Sequence, residues 1–460
     1  MRRLRSVFVL LALLALPAAA APRTEEPMRQ QAAAPGALDA EFMGMAIRDP
    51  FYEFGTNPAF PGAPNQTFQD TMGALLQTAG VRWVRLEFIA DPDGHVNFAK
   101  YDYFIGTVAP RYGLKVLGLL STNSIRNVVR VGDHDEYYPI YLNIAPANLT
   151  HPVYGSALNQ YMIEWLDEAM RVAAHYDGHD PQAGRVHAFE IFNEVNRLFG
   201  DGTNLHAGLD YAGLNPSYVA RIQAKFYRVC KNTDGLHAPA RCPADTLIVS
   251  GGLHPKGTSN RRTSSQPETF YYTDEEYLRQ MYISAFTDYR NAQGAWPVDG
   301  VAFHPYPEEI IPRAEIQGVY EDIYLKILPR ITQIRTMLQT VGDGAKPIWI
   351  TEIGYNLGYY KVIQAGGEVA QVRFMREVYT NLAARGDIAN VFWFKYEDFP
   401  PATGPNAQMW GVVRIPFSPG CIDACYEPSG TPTLIRQSFW AYRELAGLPV
   451  FGAYSPLVAR

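Results

Sequence analysis

The stretch HAFEIFNEVN, His187 to Asn196, begins as an apolar strand pattern and ends on an amide and a carboxylate, Asn193 and Glu194. A carboxylate at the end of a buried strand must be solvated, paired or reserved for chemistry. A second one stands in an equivalent place: in KPIWITEIGYN, Glu352 closes another apolar run. Two carboxyl groups facing each other across one mouth suit cleavage of a glycosidic bond. One protonates the leaving oxygen while the other attacks the anomeric carbon or activates water. That chemistry needs a fold that gathers distant strand ends on one face.

Other apolar runs end in groups that could serve the same mouth. FHPYP supplies His304 and Tyr306, two residues apart and so on one face of an extended chain. VRWVRLEF supplies Arg85, and NVFWFKYE supplies Trp393. Arg85 and the Tyr306 hydroxyl are expected to favour the ionised form of Glu352, whose negative charge would then hold a proton on Glu194. Trp393 would form an apolar floor under a sugar ring. The bland alternatives are an Arg85 paired with Glu87 or another barrel acid, a structural His304 and Tyr306, and a Trp393 in ordinary core. Glu190 shares the strand parity of Glu194 but lies deeper, and reads as a buried structural acid with a cationic or hydrogen-bonding partner. Glu397 and Asp398 are placed to touch sugar hydroxyls, and Glu308 and Glu309 to line an outer loop.

Eight short apolar runs recur along the chain, at 42–47, 81–88, 114–120, 187–194, 245–252, 298–305, 347–354 and 390–397. Between them lie segments with helical spacing. In YMIEWLDEAMRVAAHY, the residues Met162, Trp165, Leu166, Met170, Val172 and Ala173 make one stripe. IYLKILPRITQIRTML carries Pro329, expected to kink or interrupt a helix. EVAQVRFMREVYTNLAARG stops at Gly386, a C-terminal cap. Strands alternating with helices imply right-handed βαβ units and a parallel sheet. Eight units imply a closed (β/α)8 barrel, an α/β TIM barrel in a single catalytic domain. A doubly wound sheet is the competing fold, but AIRDPFYEFG is not a Gly-rich phosphate turn. Long inserts at 121–155, 253–273 and 398–431 all follow strand C-termini, where a barrel builds its site.

The order of these motifs resembles the clan A glycoside hydrolases, retaining (β/α)8 enzymes whose acid/base Glu follows an Asn at the end of strand four. FEIFNEVN is similar to the WEIWNEPN pattern of family 39 and family 5 relatives, and ITEIGY to their strand-seven nucleophile motif. The resemblance covers roughly 40 to 446. It implies Glu194 as acid/base, Glu352 as nucleophile and Asn193 as a donor to the sugar 2-hydroxyl, with Arg85, His304, Tyr306 and Trp393 completing the nonreducing-side subsite. The pattern departs at Phe192 and Val195, where those relatives carry Trp and Pro, and at Ser121-Thr122, where many family 5 enzymes carry His. A transglycosylase on the same site and a noncatalytic carbohydrate-binding barrel are the alternatives.

The bulk properties agree with an exported enzyme. The chain has 460 residues, 47% of them hydrophobic, enough for a large core. A net charge of −6 with both signs interspersed gives no basic footprint for nucleic acid. The N-terminus has three Arg, an apolar run from Val7 to Leu16 and Ala18-x-Ala20, a signal-peptide pattern with an apolar core too short to span a bilayer. Residues 1–20 are thus expected to be a cleaved signal, 21–41 a flexible lead-in, 42–446 the barrel and 447–460 a tail. The expected location is secreted or extracytoplasmic. An even count of 4 Cys suggests disulfides, most simply Cys230 with Cys242 and Cys421 with Cys425. The expected partner is an oligo- or polysaccharide with β linkages, and a monomer is expected. No metal, no cofactor and no membrane span after signal cleavage are expected, since the carboxylates suffice.

Overall fold

A computed structural model of the protein describes residues 37–47, 66–126, 128–131, 134–137, 141–143, 145–196, 214–236, 241–255, 272–307, 323–358, 367–399, 408–416 and 426–450. Its centre is one parallel sheet of eight strands. They are β1 (Met43–Ala46), β2 (Trp83–Glu87), β3 (Lys115–Leu120), β4 (Ala188–Asn193), β5 (Leu247–Gly252), β6 (Val301–Phe303), β7 (Ile348–Ile353) and β8 (Ile388–Phe394). Each pairs with its sequence neighbour, and β8 pairs with β1. Parallel bridges Val249–Gly300 and Leu253–Phe303 join β5 to β6, so the sheet closes on itself. The fold is a single (β/α)8 TIM barrel.

Helices follow the strands in turn: α1 (Gln66–Ala79), α2 (104–111), α3 (Gln160–His175), α4 (Pro216–Lys231), α5 (274–293), α6 (Ile323–Thr340), α7 (Glu368–Arg385) and α8 (Gln437–Leu445). The predicted stripe of α3 is buried at every position, which is what a helix needs to pack on a barrel. Asn159 caps α3, its side chain accepting from the Met162 amide. Gly386 ends α7 in the left-handed conformation at φ 72°. Pro329 does not break α6, which runs unbroken through it. Four residues back, Leu325 lies on the exposed face, where water can replace the missing donor.

Two of the long inserts are partly described. The one after β3 holds two small hairpins, Val128–Val131 with His134–Tyr137 and Leu149–His151 with Gly155–Leu158. The one after β8 returns as the pair Val413–Arg414 and Leu434–Ile435. Asp398 anchors that return: it is fully buried, accepts from the Gly411 amide at 2.9 Å and pairs with Arg414 and Arg436. Glu397 is buried against Lys395 at 2.8 Å. Neither acid is placed to touch a sugar hydroxyl, because both are buried, Asp398 in holding the insert and Glu397 beside Lys395. Cys230 and Cys242 form a disulfide between the end of α4 and the approach to β5, with Cα atoms 4.9 Å apart. Cys421, Cys425, Glu308, Glu309 and the N-terminal segment lie outside the described residues. Among the described residues no helix is long and apolar enough to cross a membrane.

Candidate active site

Arg85 is the hub of the barrel mouth. Strand parity turns Trp83, Arg85 and Glu87 of β2 into the barrel, and the guanidinium reaches three acceptors. Nε donates to Glu190 Oε2 at 2.5 Å, Nη1 to Glu352 Oε1 at 2.6 Å and Nη2 to Asn193 Oδ1 at 2.9 Å. Burial works against the charge of Arg85, but Glu190 and Glu352 more than restore it and raise its pKa further. Glu190 is fully buried, and its Oε1 accepts from the Gly252 amide at 2.8 Å and the Thr351 hydroxyl at 3.0 Å. Three donors, from Arg85, Gly252 and Thr351, thus meet the two oxygens of one inaccessible carboxylate, as a buried charge requires. Gly252 has to be glycine, since a Cβ there would collide with the His304 ring. Glu87 is instead held by Ser121 and Asn123.

Backbone irregularity, not parity, aims the two mouth carboxylates. On β4, inward Ala188 and Glu190 would be followed by inward Phe192. Phe192 instead takes φ 70° and stacks on Trp165 of α3 at 4.6 Å, and Glu194 takes φ 46°. Asn193 therefore reaches Arg85 inside the barrel, and Glu194 follows it into the mouth. On β7, the register against β8 shifts between Ile350 and Ile353. Thr351 and Glu352, adjacent in sequence, then both bond groups inside the barrel. Non-glycine residues at positive φ cost about 1–3 kcal/mol each and concentrate where a site demands them.

The resulting geometry is compact. Both oxygens of Glu352 are occupied, Oε1 by Arg85 and Oε2 by the Tyr306 hydroxyl at 2.7 Å. His304 Nδ1 lies 3.2 Å from Glu194 Oε1 and 3.8 Å from Glu352 Oε2. A ring nitrogen of His304 and one carboxylate oxygen each of Glu194 and Glu352 all lie within 4.8 Å of one another. His254 Nδ1 approaches the same Glu194 oxygen at 3.6 Å. Its backbone is clamped by Asn196, whose side chain accepts from the His254 amide at 2.9 Å and donates to its carbonyl at 2.8 Å.

The spacing of Glu194, His304 and Glu352 is one that a cation could bridge. Here Arg85 already supplies positive charge to Glu352, and Thr351 engages the far nitrogen of His304 at 2.9 Å. The donor set fits shared protons better than a metal.

The protonation of Glu194 departs from expectation. Burial would raise its pKa, but the imidazoles of His254 and His304 outweigh burial and hold the carboxyl well below its ordinary 4.5. Burial likewise opposes charge on His304, yet Glu352 and Glu194 raise it above 6.5. The two shifts run in the direction that favours sharing of a proton between His304 and Glu194.

Trp393 also departs from expectation. It is fully buried and packs outward, 6.2 Å from Phe374 of α7. The alternation of β8 sends Phe392 and Phe394 inward and Trp393 to the helix layer. The aromatic wall of the mouth is made by Phe394, Tyr306 and Trp410, with Tyr306 6.2 Å from Phe394 and 5.4 Å from Trp410. Arg85, Asn193, Glu194, His304, Tyr306 and Glu352 are brought together; Trp393 is not. Sequence reasoning missed His254, Thr351, Phe394 and Trp410. His254 had a signal: LHP at the end of β5 repeats the FHP at the end of β6. Trp410 had none, because it arrives from a long insert.

No family model and no curated protein matches this sequence. Solved structures do resemble it in shape. A family 1 β-glucosidase from Thermotoga maritima in complex with isofagomine lactam is 14% identical, with a TM-score of 0.47, 90% of this chain covered and 100% of that one. A GH5_18 protein from Bifidobacterium longum subsp. infantis is 12% identical, with a TM-score of 0.46 and coverages of 88% and 78%. A GH2 β-galacturonidase from Eisenbergiella tayi is 11% identical, with a TM-score of 0.45; the match covers 88% of this chain but only 50% of that enzyme. Likeness at this level says nothing of the chemistry at this mouth, which rests on the chain's own side chains.

Proposed function

We propose that this protein is an exported retaining β-glycoside hydrolase acting on β-linked oligo- or polysaccharides, with Glu352 as nucleophile and Glu194 as acid/base. One observation carries the reading: oxygens of the two carboxylates approach within 4.8 Å while Arg85 and Tyr306 hold both oxygens of Glu352. Retaining enzymes place the two carboxyl groups about 5–5.5 Å apart, and inverting enzymes leave roughly 6.5–9.5 Å for a water between them.

The steps follow from the contacts. Arg85 and Tyr306 donate to the two oxygens of Glu352 and hold it for attack on the anomeric carbon. Glu194 gives its proton to the glycosidic oxygen as that bond breaks, releasing the alcohol and leaving a glycosyl ester on Glu352. Water then attacks the same carbon, Glu194 takes its proton, and the ester bond breaks with net retention. Arg85 can only donate, so the Asn193 oxygen must face it and the Asn193 amide protons point elsewhere, suited to a sugar 2-hydroxyl. Phe394, Tyr306 and Trp410 offer apolar faces to a pyranose ring. The Cys230–Cys242 disulfide supports an oxidising compartment.

The test is covalent trapping. A 2-deoxy-2-fluoro β-glycoside with a dinitrophenyl leaving group should label the peptide containing Glu352, and proton NMR should find the β-anomer formed first from ordinary substrates. A first-formed α-anomer, or a label on another peptide, would overturn the assignment. Products longer than the substrate would identify transfer to sugar instead of water.

A further inference from the structure

Thr351 is not part of the chemistry proposed above, yet it joins two fully buried groups. Its hydroxyl bonds Glu190 Oε1 at 3.0 Å and His304 Nε2 at 2.9 Å. All three side chains are inaccessible to solvent, so water cannot complete either bond and the protons can be counted. Glu190 is ionised, because Arg85 pairs with it at 2.5 Å and the Gly252 amide donates to it. A carboxylate only accepts, so the single Thr351 proton points to Glu190. The Thr351 oxygen is then the acceptor, and Nε2 of His304 must carry a proton.

Nδ1 is the remaining site on the ring, and it faces Glu194 Oε1 at 3.2 Å. A neutral His304 with its proton on Nε2 offers Nδ1 as a lone pair, which needs a proton from Glu194. A cationic His304 donates from Nδ1 to an ionised Glu194. Both arrangements contain the same single proton on the Nδ1–Oε1 axis.

We infer that Thr351 is a positioning residue that locks a proton on Nε2 of His304, so that His304 and Glu194 act as one acid/base pair sharing a single transferable proton. The pair rests on the glycosidase reading for its use, though not for its existence. Before reaction the proton lies on the Nδ1–Oε1 axis. As the glycosidic C–O bond breaks, it passes through Glu194 to the leaving oxygen, leaving neutral His304 and anionic Glu194. When water attacks the glycosyl ester, its proton returns to the pair and the starting state is restored. Among the described residues the charged and titratable groups facing the pair are Arg85 on β2, Glu190 on β4, His254 after β5, Tyr306 after β6 and Glu352 on β7. None of them stands between Nδ1 and Oε1.

Thr351→Val removes the acceptor for Nε2 while keeping the side-chain shape. The cationic ring loses one hydrogen-bond partner, so the pair should release its proton more readily. The basic limb of kcat/KM should move down by about one pH unit. At pH 7 the loss should be about tenfold on a phenyl glycoside and under about twofold on a dinitrophenyl glycoside, which needs little protonation to depart. Thr351→Ser should restore both. Equal losses on both leaving groups with an unmoved pH limb would overturn the inference, since a merely structural residue behaves so. Should Thr351→Val fail to fold, 15N NMR of histidine-labelled wild type decides, with His304→Asn used to assign the ring. Nε2 must stay protonated while only Nδ1 titrates; titration at Nε2 overturns the pair. That measurement needs no substrate, so an enzyme inert on every glycoside would sink the functional reading and leave the proton inventory to stand or fall by itself.

Discussion

Two layers of side chains fill the same barrel and obey opposite rules. The lower layer is Trp83, Leu117, Ala188, Val249, Ala302, Trp349 and Phe392, an apolar plug in which Trp83 meets Trp349 edge-on at 5.6 Å. One step along the strands the layer becomes Arg85, Glu190, His304 and Thr351, all buried and all polar. The plug gains from burial alone, roughly 25 cal/mol per Å² of apolar surface. The polar layer has to overcome desolvation, and it holds only because every charge meets an opposite charge or a committed donor. The contrast teaches that the barrel places stability and chemistry on successive rungs of the same strands, separated by one side-chain alternation.

The sharpest way to test that division is at the top of the polar rung. Glu352→Ala should lower turnover by at least about 10⁴-fold on every substrate, since no nucleophile remains. Glu194→Ala should cost about 10²–10⁴-fold on poor leaving groups and much less on dinitrophenyl glycosides. Azide should rescue the two variants with opposite anomers, β for Glu194→Ala and α for Glu352→Ala. The same anomer from both would reverse or dissolve the division of roles.

A matched pair of substitutions then compares the two rungs directly. Trp349→Ala should destabilise the plug by about 3–5 kcal/mol, read from denaturant unfolding, and leave kcat/KM of the folded fraction nearly unchanged. Arg85→Met should destabilise by a similar amount, about 3–5 kcal/mol, because Glu190 is left buried without its cation. Only Arg85→Met should also abolish most turnover. If Trp349→Ala proved as damaging to catalysis, the two layers would not be separable.

Smaller effects distinguish the faces of β8. Phe394→Ala should raise KM about tenfold through loss of an apolar face against the sugar, whereas Trp393→Phe should shift the thermal midpoint and leave KM alone. The reverse pattern would restore Trp393 to the site.

The smallest effect is in pH-dependent stability. Glu194 is depressed below 4.5, so its contribution is present above that value and fades as pH falls through its folded pKa. His304 is raised above 6.5, so its contribution is present below that value and fades as pH rises through its folded pKa. Both act together between pH 4.5 and 6.5. The excess thermal stability of the wild type over Glu194→Gln should peak in that window; a difference independent of pH would contradict the pairing.

Much of this protein was determined by local sequence. Apolar runs alternating with helical stripes are enough to specify a (β/α)8 barrel, because each run must bury itself and each stripe must cover it. Glu194 and Glu352 were legible as a pair, because two carboxylates at equivalent run ends, with the HPY stretch between them, meet on one face of a barrel. Arg85, Asn193, His304 and Tyr306 were legible by the same position rule. The strand-end rule alone misplaced Trp393, since it does not say which face of β8 looks inward, and the burden carried by Asp398 was invisible without its partners Arg414 and Arg436. Pro329 was expected to kink or interrupt its helix because the sequence does not reveal which carbonyl water can reach. The proton on Glu194 was assigned from one neighbour, Glu352, when two imidazoles also face it. Local pattern follows from the periodicity of a single strand or helix, so the sequence determined the elements and their polar ends. The twist at Phe192, the register shift on β7 and the meeting of His254, His304 and Thr351 depend on contacts between strands far apart in the chain. Charge and proton position are sums over all such contacts, and only the closed barrel decides them.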